Sequence, residues 1–383
     1  MLLTTLALLG LAFSLDLLVG EPPNALHPVA WFGRLVGALD REWAATERGQ
    51  RLAGVGIALL APLCPAVVAG GAVALAGALS PLAGAVAAGL VLFLTTSLRS
   101  LLELTRAVVD ATASTATATA AAATAGPDGA ETDSAADPGA DDGLETARER
   151  VRGLVGRDTS TLSAAEIRSA AVESAGENLA DGLVATLVPF AVLAPLSLPA
   201  AAAAAAWVKG VNTLDSMLGY PAKPHGTASA RLDDLVMWLP ARLAAVTVAV
   251  ARADPLALRR AGEWARDPPS PNSGWPMATL ACVLSVRLRK VGVYDLNPGA
   301  DLPTVADGER AVTVVGRAAV VAVVIAVLLA AAVTAMSPPQ GPQPVPTDPT
   351  TGVGVALGAG VASLTDAIAW PMGALPTLEV VTA

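Results

Sequence analysis

The chain has 383 residues, of which 54% are hydrophobic and 15% are charged. Soluble globular domains carry about 25% charged residues, so the composition excludes an ordinary soluble domain and indicates an integral membrane protein. The net charge of −9 is concentrated in the stretches 126–145 and 295–309, which are typical of solvated acidic loops. Nucleic-acid binding is disfavoured, because proteins of that class present a basic surface.

Six segments are apolar and long enough to cross about 30 Å of hydrocarbon, which takes about 20 residues. They are residues 2–19, 53–79, 82–98, 183–208, 235–251 and 311–335, and residues 353–370 are a weaker seventh candidate. The first has no basic region and no clear small-residue cleavage site, so we interpret it as a retained span and not as a signal peptide. The pattern predicts an all-α, polytopic membrane bundle with polar motifs in its loops.

One membrane-embedded domain is predicted for residues 1–335. Within it, residues 111–145 are an Ala/Thr tract followed by a Gly/Pro/Asp-rich tract, which predicts a flexible low-complexity insertion without a core. Residues 336–383 are predicted to be a Pro-rich linker and a C-terminal apolar segment.

Asp16 interrupts the first span, and Glu21 and His27 follow it closely. An acid within a span is energetically expensive and therefore indicates function. A structural role at the helix end is an equal alternative for Asp16, because a side chain near the end of a span reaches the interface.

The next polar block contains Arg157, Asp158 and Thr159. It is either a turn with an exposed ion pair or an anion site in which guanidinium, hydroxyl and backbone N–H groups hold phosphate. Ser163 and Glu166 then form a capping-box pattern, which predicts that a helix begins there.

Three carboxylates follow on this helix, Glu173, Glu177 and Asp181, at positions i, i+4 and i+8. At about 100° per residue these positions drift by only about 40° per step, so the three acids share a face. Like charges stacked in this way repel each other unless a cation or a proton relieves them, and a divalent metal or a bound cationic group is a natural partner.

Pro189, Pro195 and Pro199 divide the apolar segment 183–208 into short pieces. Interruption by proline favours a re-entrant hairpin over a single crossing. We therefore predict that the acids before the segment and the polar residues after it face the same aqueous side.

If the block after this segment is helical, Lys209, Asn212 and either Asp215 or Ser216 share one helix face. A functional site is favoured over an ordinary amphipathic turn, because so many polar groups beside an Ala-rich apolar segment are costly. Arg231, Asp233 and Asp234 follow, and Arg242 lies inside the next span. An unpaired Arg there costs about 2.5–3.5 kcal/mol, so we predict that Arg242 pairs with Asp233 or Asp234.

The last polar block is the loop that contains Ser270 and Asn272. Its Pro and Gly content indicates either a simple connection between helices or a loop that presents these side chains to a ligand.

Six blocks in this order resemble the CobD/CbiB family of membrane proteins of cobalamin biosynthesis, the adenosylcobinamide (phosphate) synthases. The resemblance covers roughly residues 10–295. It rests on Asp16-x4-Glu21 with His27-Pro28-Val29, Val155-Gly156-Arg157-Asp158-Thr159, Glu173-Ser174 with Glu177-Asn178-x2-Asp181-Gly182, Asn212-Thr213-Leu214-Asp215-Ser216-Met217 with Gly219-Tyr220, Ala230-Arg231-x-Asp233-Asp234 with Leu239-Pro240-Ala241-Arg242, and Ser270-Pro271-Asn272-Ser273-Gly274.

The resemblance implies a multi-pass cell-membrane enzyme that joins the propionate carboxyl of adenosylcobyric acid to (R)-1-amino-2-propanol or its O-phosphate. ATP is the expected energy source, and Mg²⁺ is expected at the acidic cluster. Such chemistry requires activation of a carboxylate and then attack by a neutral amine. No Walker-type Gly-rich loop occurs, so ATP binding follows from the resemblance alone.

Residue roles under this hypothesis fall into three groups. The metal-binding candidates are Glu173, Glu177, Asp181 and Asp233. The catalytic candidates are Glu173, Glu177, Asp181, Lys209, Asp215 and, as acceptor of the amine's proton, His27. The substrate- or phosphate-binding candidates are Arg157, Asp158, Thr159, Asn178, Asn212, Arg231, Ser270 and Asn272.

Two other functions stay open at this point. A transporter or channel would account for acids near the membrane and for Pro-broken helices. A noncatalytic membrane sensor of the same fold would bind the ligand without turnover.

Overall fold

Helices make up nearly all the regular structure in the part of the chain that the computed structural model describes, residues 2–124, 138–152 and 158–337. The helices are α1 (Leu2–Leu18), α2 (Pro28–Leu39), α3 (Glu47–Leu60), α4 (Leu63–Leu79), α5 (Pro81–Thr95), α6 (Leu98–Thr124), α7 (Pro138–Arg152), α8 (Ala164–Leu179), α9 (Ala185–Leu193), α10 (Leu198–Leu218), α11 (Thr227–Val236), α12 (Trp238–Ala251), α13 (Leu256–Ala261), α14 (Gly274–Leu284) and α15 (Val305–Met336). A π-helical turn, Ala180–Val184, joins α8 to α9, and a short 3₁₀ turn, Pro224–Gly226, precedes α11. Strands β1 (Leu288–Lys290) and β2 (Tyr294–Leu296) form an antiparallel hairpin in which Leu288 pairs with Leu296.

Four helical runs in the described ranges are long and apolar enough to cross a membrane, namely Glu47–Leu79, Pro81–Ala113, Ala164–Leu193 and Val305–Met336. The pair α11 and α12, bent by 47°, gives a fifth run if it acts as one span. The predicted polytopic helical membrane fold is therefore confirmed.

The number of spans differs from the sequence-based prediction. Helix α1 has only 17 residues, which at 1.5 Å per residue extends about 25 Å and falls short of the hydrocarbon core. The predicted span 183–208 is interrupted between α9 and α10. The weaker candidate 353–370 and nearly all of the predicted segment 336–383 lie outside the described residues.

The segment 183–208 folds back on itself, as the proline pattern predicted. Helix α9 ends at Leu193, α10 begins at Leu198, and the two helices pack against each other. Pro199 lies in the first turn of α10, where the missing N–H costs little, whereas Pro189 lies inside α9 without ending it. The hairpin brings the polar blocks at its two ends together.

Small residues allow the apolar helices to approach closely. Helix α4 packs against α5 and α10, and a Cβ atom on Gly84 would lie 2.8 Å from the Cα atom of Gly77. Interfaces of this kind are typical of membrane helices, which associate through close van der Waals packing.

Helices α6, α7 and α8 form a second, smaller core around Val108, Val151 and Ile167. Ala111 and Thr112 are also buried, and α6 continues to Thr124. The first residues of the predicted insertion 111–145 therefore extend a helix, and this core stabilises the start of that extension.

Asp16 joins two helix ends. Its Oδ2 atom accepts a hydrogen bond from the backbone N–H of Arg99 at 2.9 Å, in the first turn of α6. The Arg99 guanidinium in turn donates to the carbonyl oxygen of Leu18 at the end of α1. These contacts satisfy backbone groups that helix ends leave unpaired and support the structural alternative for Asp16.

Candidate functional site

The acidic ladder, which consists of Glu173, Glu177 and Asp181, divides into one buried residue, Glu173, and two half-buried residues. Glu173 is buried, and its two oxygens accept hydrogen bonds from Ser169 Oγ and Tyr294 Oη, both at 2.7 Å. Ser169 Oγ also accepts the backbone N–H of Arg289 at 2.8 Å. Glu173 therefore fixes the β1–β2 hairpin to α8. This structural contact distinguishes Glu173 from Glu177 and Asp181, with which it was predicted to share a metal site.

The π-helical turn begins just before Asp181. Its wider i→i+5 turn interrupts the even spacing of the ladder, and π turns are frequent at functional sites. Gly182 in this turn accepts the backbone N–H of Ser97 at 3.1 Å, and a Cβ atom at this position would lie 2.7 Å from Ser97 Oγ. Glycine thus allows the junction of α5 and α6 to dock beside Asp181.

Carboxylates from three regions of the chain converge around Asp181. Asn212 on α10 donates to Asp181 Oδ2 at 3.2 Å. Asp233 lies within electrostatic range of both Asp181 and Asp215. We define the acidic cluster as Glu177, Asp181, Asp215, Asp233 and Asp234, each of which interacts electrostatically with at least two of the others.

Two lysines offset this concentration of negative charge. Lys209 interacts electrostatically with Asp181 and also with Glu21. Lys290, on the β-hairpin, interacts with Glu177. The arrangement places cations beside carboxylates in a partly buried site, where electrostatic interactions are stronger than in water.

The predicted four-acid metal site is not preformed. The described residues contain no group of three or more His, Cys, Asp or Glu side chains placed to hold a metal ion, and Glu173 already has two hydrogen-bond donors. Nevertheless, Asp233 Oδ1 is buried and has no hydrogen-bond partner. Because Mg²⁺ usually binds one or two carboxylates together with substrate phosphates, the cluster fits an ion that arrives with phosphate, and not a protein-only cage.

A cavity of about 250 Å³ adjoins the cluster. Its polar lining consists of Glu21, Asn24, His27, Thr96, Ser97 and Lys209. Lys209 connects the two parts of the site, because it interacts with Glu21 on one side and Asp181 on the other. A larger cavity of about 510 Å³, near Arg252 and Thr304, contains none of the predicted site residues.

His27 caps the N-terminus of α2, because its Nδ1 atom accepts the backbone N–H of Val29 at 3.1 Å. Burial, with a contribution from Lys209, lowers the pKa of His27 and keeps the ring neutral. A neutral imidazole that accepts at Nδ1 carries its proton on Nε2. In this tautomer Nε2 is a hydrogen-bond donor, which disfavours the role of His27 as acceptor of the amine's proton, and that role stays a prediction.

The polar block 157–159, a candidate anion site, lies away from the acidic cluster. The backbone N–H of Ser160 donates to Asp158 and lowers its pKa, and Thr159 Oγ1 donates to the carbonyl oxygen of Arg148 at 3.0 Å. Both residues precede α8, whose start at Ala164 is about 25 Å from Asp181 along the helix. Arg157 lies outside the described residues.

The loop with Ser270 and Asn272 supports the junction of α11 and α12. Asn272 donates to the carbonyl oxygen of Asp234 at 2.7 Å and accepts from Arg242 at 2.9 Å, while Ser270 Oγ accepts the backbone N–H of Asn272 at 3.2 Å. These contacts place both residues in the scaffold of the cluster, and ligand binding by them stays a prediction.

Arg242 does not form the predicted pair with Asp233 or Asp234. It donates to the carbonyl oxygen of Trp238 and lies 4.5 Å from the centre of that ring. Together with Asn272, the aromatic face and carbonyl stabilise the guanidinium without an acid.

Two further predicted ligand-binding residues lie beside the cluster. Arg231 has an exposed side chain, 3.8 Å from Asp234. Asn178 donates to the carbonyl oxygen and to the Oγ atom of Ser174, both at 3.0 Å.

Two residues of the site, Glu21 and Lys290, were not predicted from the sequence. Glu21 carried a signal in the Asp16-x4-Glu21 motif, whereas Lys290 reaches Glu177 only because the hairpin packs on α8.

The profile of the family described as CobD/Cbib protein matches residues 9–133 and 129–325. The probable cobalamin biosynthesis protein CobD of Methanothrix thermoacetophila is 34% identical over 323 residues, which cover 82% of this chain and 94% of that protein. The cobalamin biosynthesis protein CobD of Geobacter metallireducens is 36% identical over 307 residues, with 77% and 85% covered. The corresponding protein of Rhodobacter capsulatus is 35% identical over 334 residues, with 82% and 93% covered. No solved structure matches the chain. On the family match and these three relatives, the chain belongs to the CobD/CbiB family.

Proposed function

We propose that the protein is an adenosylcobinamide (phosphate) synthase. It joins the carboxyl group of adenosylcobyric acid to (R)-1-amino-2-propanol or its O-phosphate, with ATP as the energy source. Family membership and the names of the relatives support a role in cobalamin biosynthesis, and the family resemblance suggests this particular reaction. We place the protein in the cell membrane with the acidic cluster on the cytoplasmic side, where ATP is available.

The convergence of Asp181, Asp215 and Asp233 with Lys209 is the observation that carries the proposal. A ligase of this type has to hold polyanionic phosphates close to an anionic carboxylate substrate. Carboxylates that share a metal ion with phosphates, together with a lysine that neutralises phosphoryl oxygens, provide that electrostatic environment.

Amide formation requires a better leaving group than the oxygen of a carboxylate. Phosphoryl transfer to a carboxylate oxygen gives an acyl phosphate and ADP. The neutral amine then forms the C–N bond, the bond between the acyl carbon and the phosphate oxygen breaks, and inorganic phosphate and one proton leave. A carboxylate of the cluster accepts that proton, because Nε2 of His27 already carries one.

Each part of the cluster has a role in this scheme. One or two of the carboxylates Asp181, Asp215 and Asp233 would hold Mg²⁺ together with substrate phosphates, and the ion when bound would neutralise phosphate charge. Asn212 orients Asp181 through its hydrogen bond, and Lys209 stabilises negative charge that develops on the phosphoryl oxygens. Glu173 acts only through the position of the hairpin that carries Lys290.

The test is an assay of the purified full-length protein with ATP, Mg²⁺, adenosylcobyric acid and either amine. We expect amide product and stoichiometric ADP from the wild-type protein, and a loss of product for Asp215→Asn. Asp254→Asn is the matched control, because Asp254 belongs to a surface pair with Arg260 at 2.6 Å and should keep activity. Corrinoid transport into vesicles without amide formation would instead support the transporter alternative.

A further inference from the structure

The bend between α11 and α12 lies at the edge of the acidic cluster. The two helices meet at 47°, and Pro240 is in the first turn of α12. Proline has no N–H, and its ring crowds the carbonyl oxygen four residues earlier, here that of Val236, so the helix bends at this point. Asp233 and Asp234 lie in the last turn of α11. The angle of the bend therefore sets the direction of both carboxylates.

We infer that Asn272 and Arg242 are positioning residues, which fix this bend and thereby hold Asp233 and Asp234 in the acidic cluster. The inference rests on the proposed amide synthesis, in which carboxylates of the cluster hold Mg²⁺ with substrate phosphates. We call these two residues the clamp. They act through the helices that they join and not by contact with the reacting atoms.

Asn272 binds the α11 side of the bend. The carbonyl groups in the last turn of a helix have no partner within that helix. The carbonyl oxygen of Asp233 accepts the backbone N–H of Met237 at 2.8 Å, and that of Asp234 accepts Nδ2 of Asn272 at 2.7 Å. Asn272 is 3% exposed, so water competes little for this hydrogen bond. A loop that is distant in sequence thus supplies a partner for the end of α11.

Arg242 binds the same amide from the α12 side. Its Nη1 atom donates to Oδ1 of Asn272 at 2.9 Å and to the carbonyl oxygen of Trp238 at 2.7 Å. The ring centres of Trp238 and Trp275 lie 4.5 and 5.5 Å from Cζ of Arg242, which favours one position of the guanidinium. A guanidinium only donates and a backbone carbonyl only accepts, so the amide has a single orientation. One planar side chain therefore connects the two helices across the bend.

The charges of the cluster explain why the bend has to be held. Asp233 lies within electrostatic range of Asp181 and Asp215, and its Oδ1 atom is buried without a hydrogen-bond partner among the described residues. Carboxylates in such positions repel one another until a cation binds. A change in the angle between α11 and α12 would carry Asp233 away from the others and relieve that repulsion. The clamp opposes this movement and keeps the preorganised arrangement that a metal with phosphates requires.

The first experiment measures the bend by double electron–electron resonance on the full-length protein in lipid nanodiscs. Spin labels are attached to cysteines at Thr227 and Val250, exposed positions at the start of α11 and near the end of α12. The background is Cys64→Ser, which removes the exposed native thiol. We expect one narrow distance distribution when the clamp is intact, and a broader, shifted distribution for Asn272→Ala and for Arg242→Met.

Two variants separate the clamp from general damage to the helices. Arg242→Lys keeps the charge and N–H donors, so it should keep the narrow distribution that Arg242→Met loses. Thr247→Val is the matched control on α12, because it removes a buried hydrogen bond from Thr247 Oγ1 to the carbonyl oxygen of Ala244 at 2.7 Å. That bond lies within one helix and does not cross the bend, so the distances should equal those of the wild type.

The second experiment measures amide formation over a range of Mg²⁺ concentrations. Loss of a residue that orients metal-binding side chains typically costs about 10- to 100-fold in metal affinity. Asn272→Ala should therefore raise the Mg²⁺ concentration at half-maximal turnover by about 10-fold or more, while KM for the amine stays near its wild-type value. A general loss of stability would not produce this difference between metal and amine.

Wild-type distances in both Asn272→Ala and Arg242→Met would overturn the inference. A broad distribution with an unchanged Mg²⁺ requirement would also overturn it, because the bend would then not position the cluster. The distances are measured without turnover, so the two proposals fail separately. A wild-type protein that forms no amide would refute the ligase reaction, whereas distances that depend on Asn272 and Arg242 would still support the clamp.

Discussion

Because Glu173 holds the β1–β2 hairpin and lies apart from the acidic cluster, we predict that Glu173→Gln lowers the free energy of unfolding more than it lowers turnover. Glu173 is only 4% exposed and accepts two O–H donors at 2.7 Å. A glutamine keeps one acceptor and replaces the other with an NH₂ group, so either Ser169 or Tyr294 loses its acceptor. Hydrogen bonds to charged groups contribute about 1.5–3 kcal/mol, and we expect the free energy of unfolding to fall by about that amount.

The assay is chemical unfolding in detergent micelles, followed by circular dichroism, with turnover measured on the same preparations. Glu47→Gln is the control, because Glu47 belongs to an exposed pair with Arg51, and such a pair contributes at most about 0.5 kcal/mol. In a double-mutant cycle, Glu173→Gln and Tyr294→Phe should couple by about 1 kcal/mol, since they share one hydrogen bond. Wild-type stability combined with lost turnover in Glu173→Gln would refute this reasoning and make Glu173 a catalytic carboxylate.

The remaining predictions concern the acidic cluster, the α9–α10 hairpin and the surface residue Asp40. Asp181→Asn should lower kcat by about 100-fold or more, the scale of losing one electrostatic contact in a preorganised site, while the unfolding midpoint stays within error of the wild type. In a Cys64→Ser background, which removes the exposed native thiol, cysteines introduced at the half-buried positions Asn178 and Thr213 should react with a small membrane-impermeant thiol reagent from the same side. Labelling from opposite sides would contradict the single-site arrangement. Asp40 accepts a hydrogen bond from Lys223 at 2.6 Å, which lowers its pKa. The stability from this contact is therefore present above the ordinary Asp pKa of about 3.9 and is lost as pH falls through the lowered value. Accordingly, unfolding measurements on Asp40→Asn should show a deficit at pH 7 that disappears at strongly acidic pH.

Much of the local structure follows from the sequence. The capping-box pattern at Ser163 and Glu166 forms as predicted and starts α8, because both partners lie within one helical turn. The prolines of segment 183–208 predicted a hairpin, and the turn between α9 and α10 confirms it. Each of these features depends on residues close together in the chain.

The partners of the polar side chains were harder to predict. Periodicity placed Glu173, Glu177 and Asp181 on one face, but it contained no information about Tyr294, which is 121 residues away and hydrogen-bonds Glu173. The same limitation applies to Arg242, for which the nearest acids in sequence were the natural choice. Its observed partner Asn272 lies on a separate loop.

The sequence by itself determined that this chain is a helical membrane protein, where its polar blocks lie and which family those blocks resemble, because composition, periodicity and capping are local properties. Only the tertiary structure decided which acids form the cluster, that Lys209 joins this cluster to a small cavity, and that His27 presents an N–H donor. The physical reason is that the charge and hydrogen bonding of a side chain depend on groups brought near it by packing, and those groups come from distant parts of the chain.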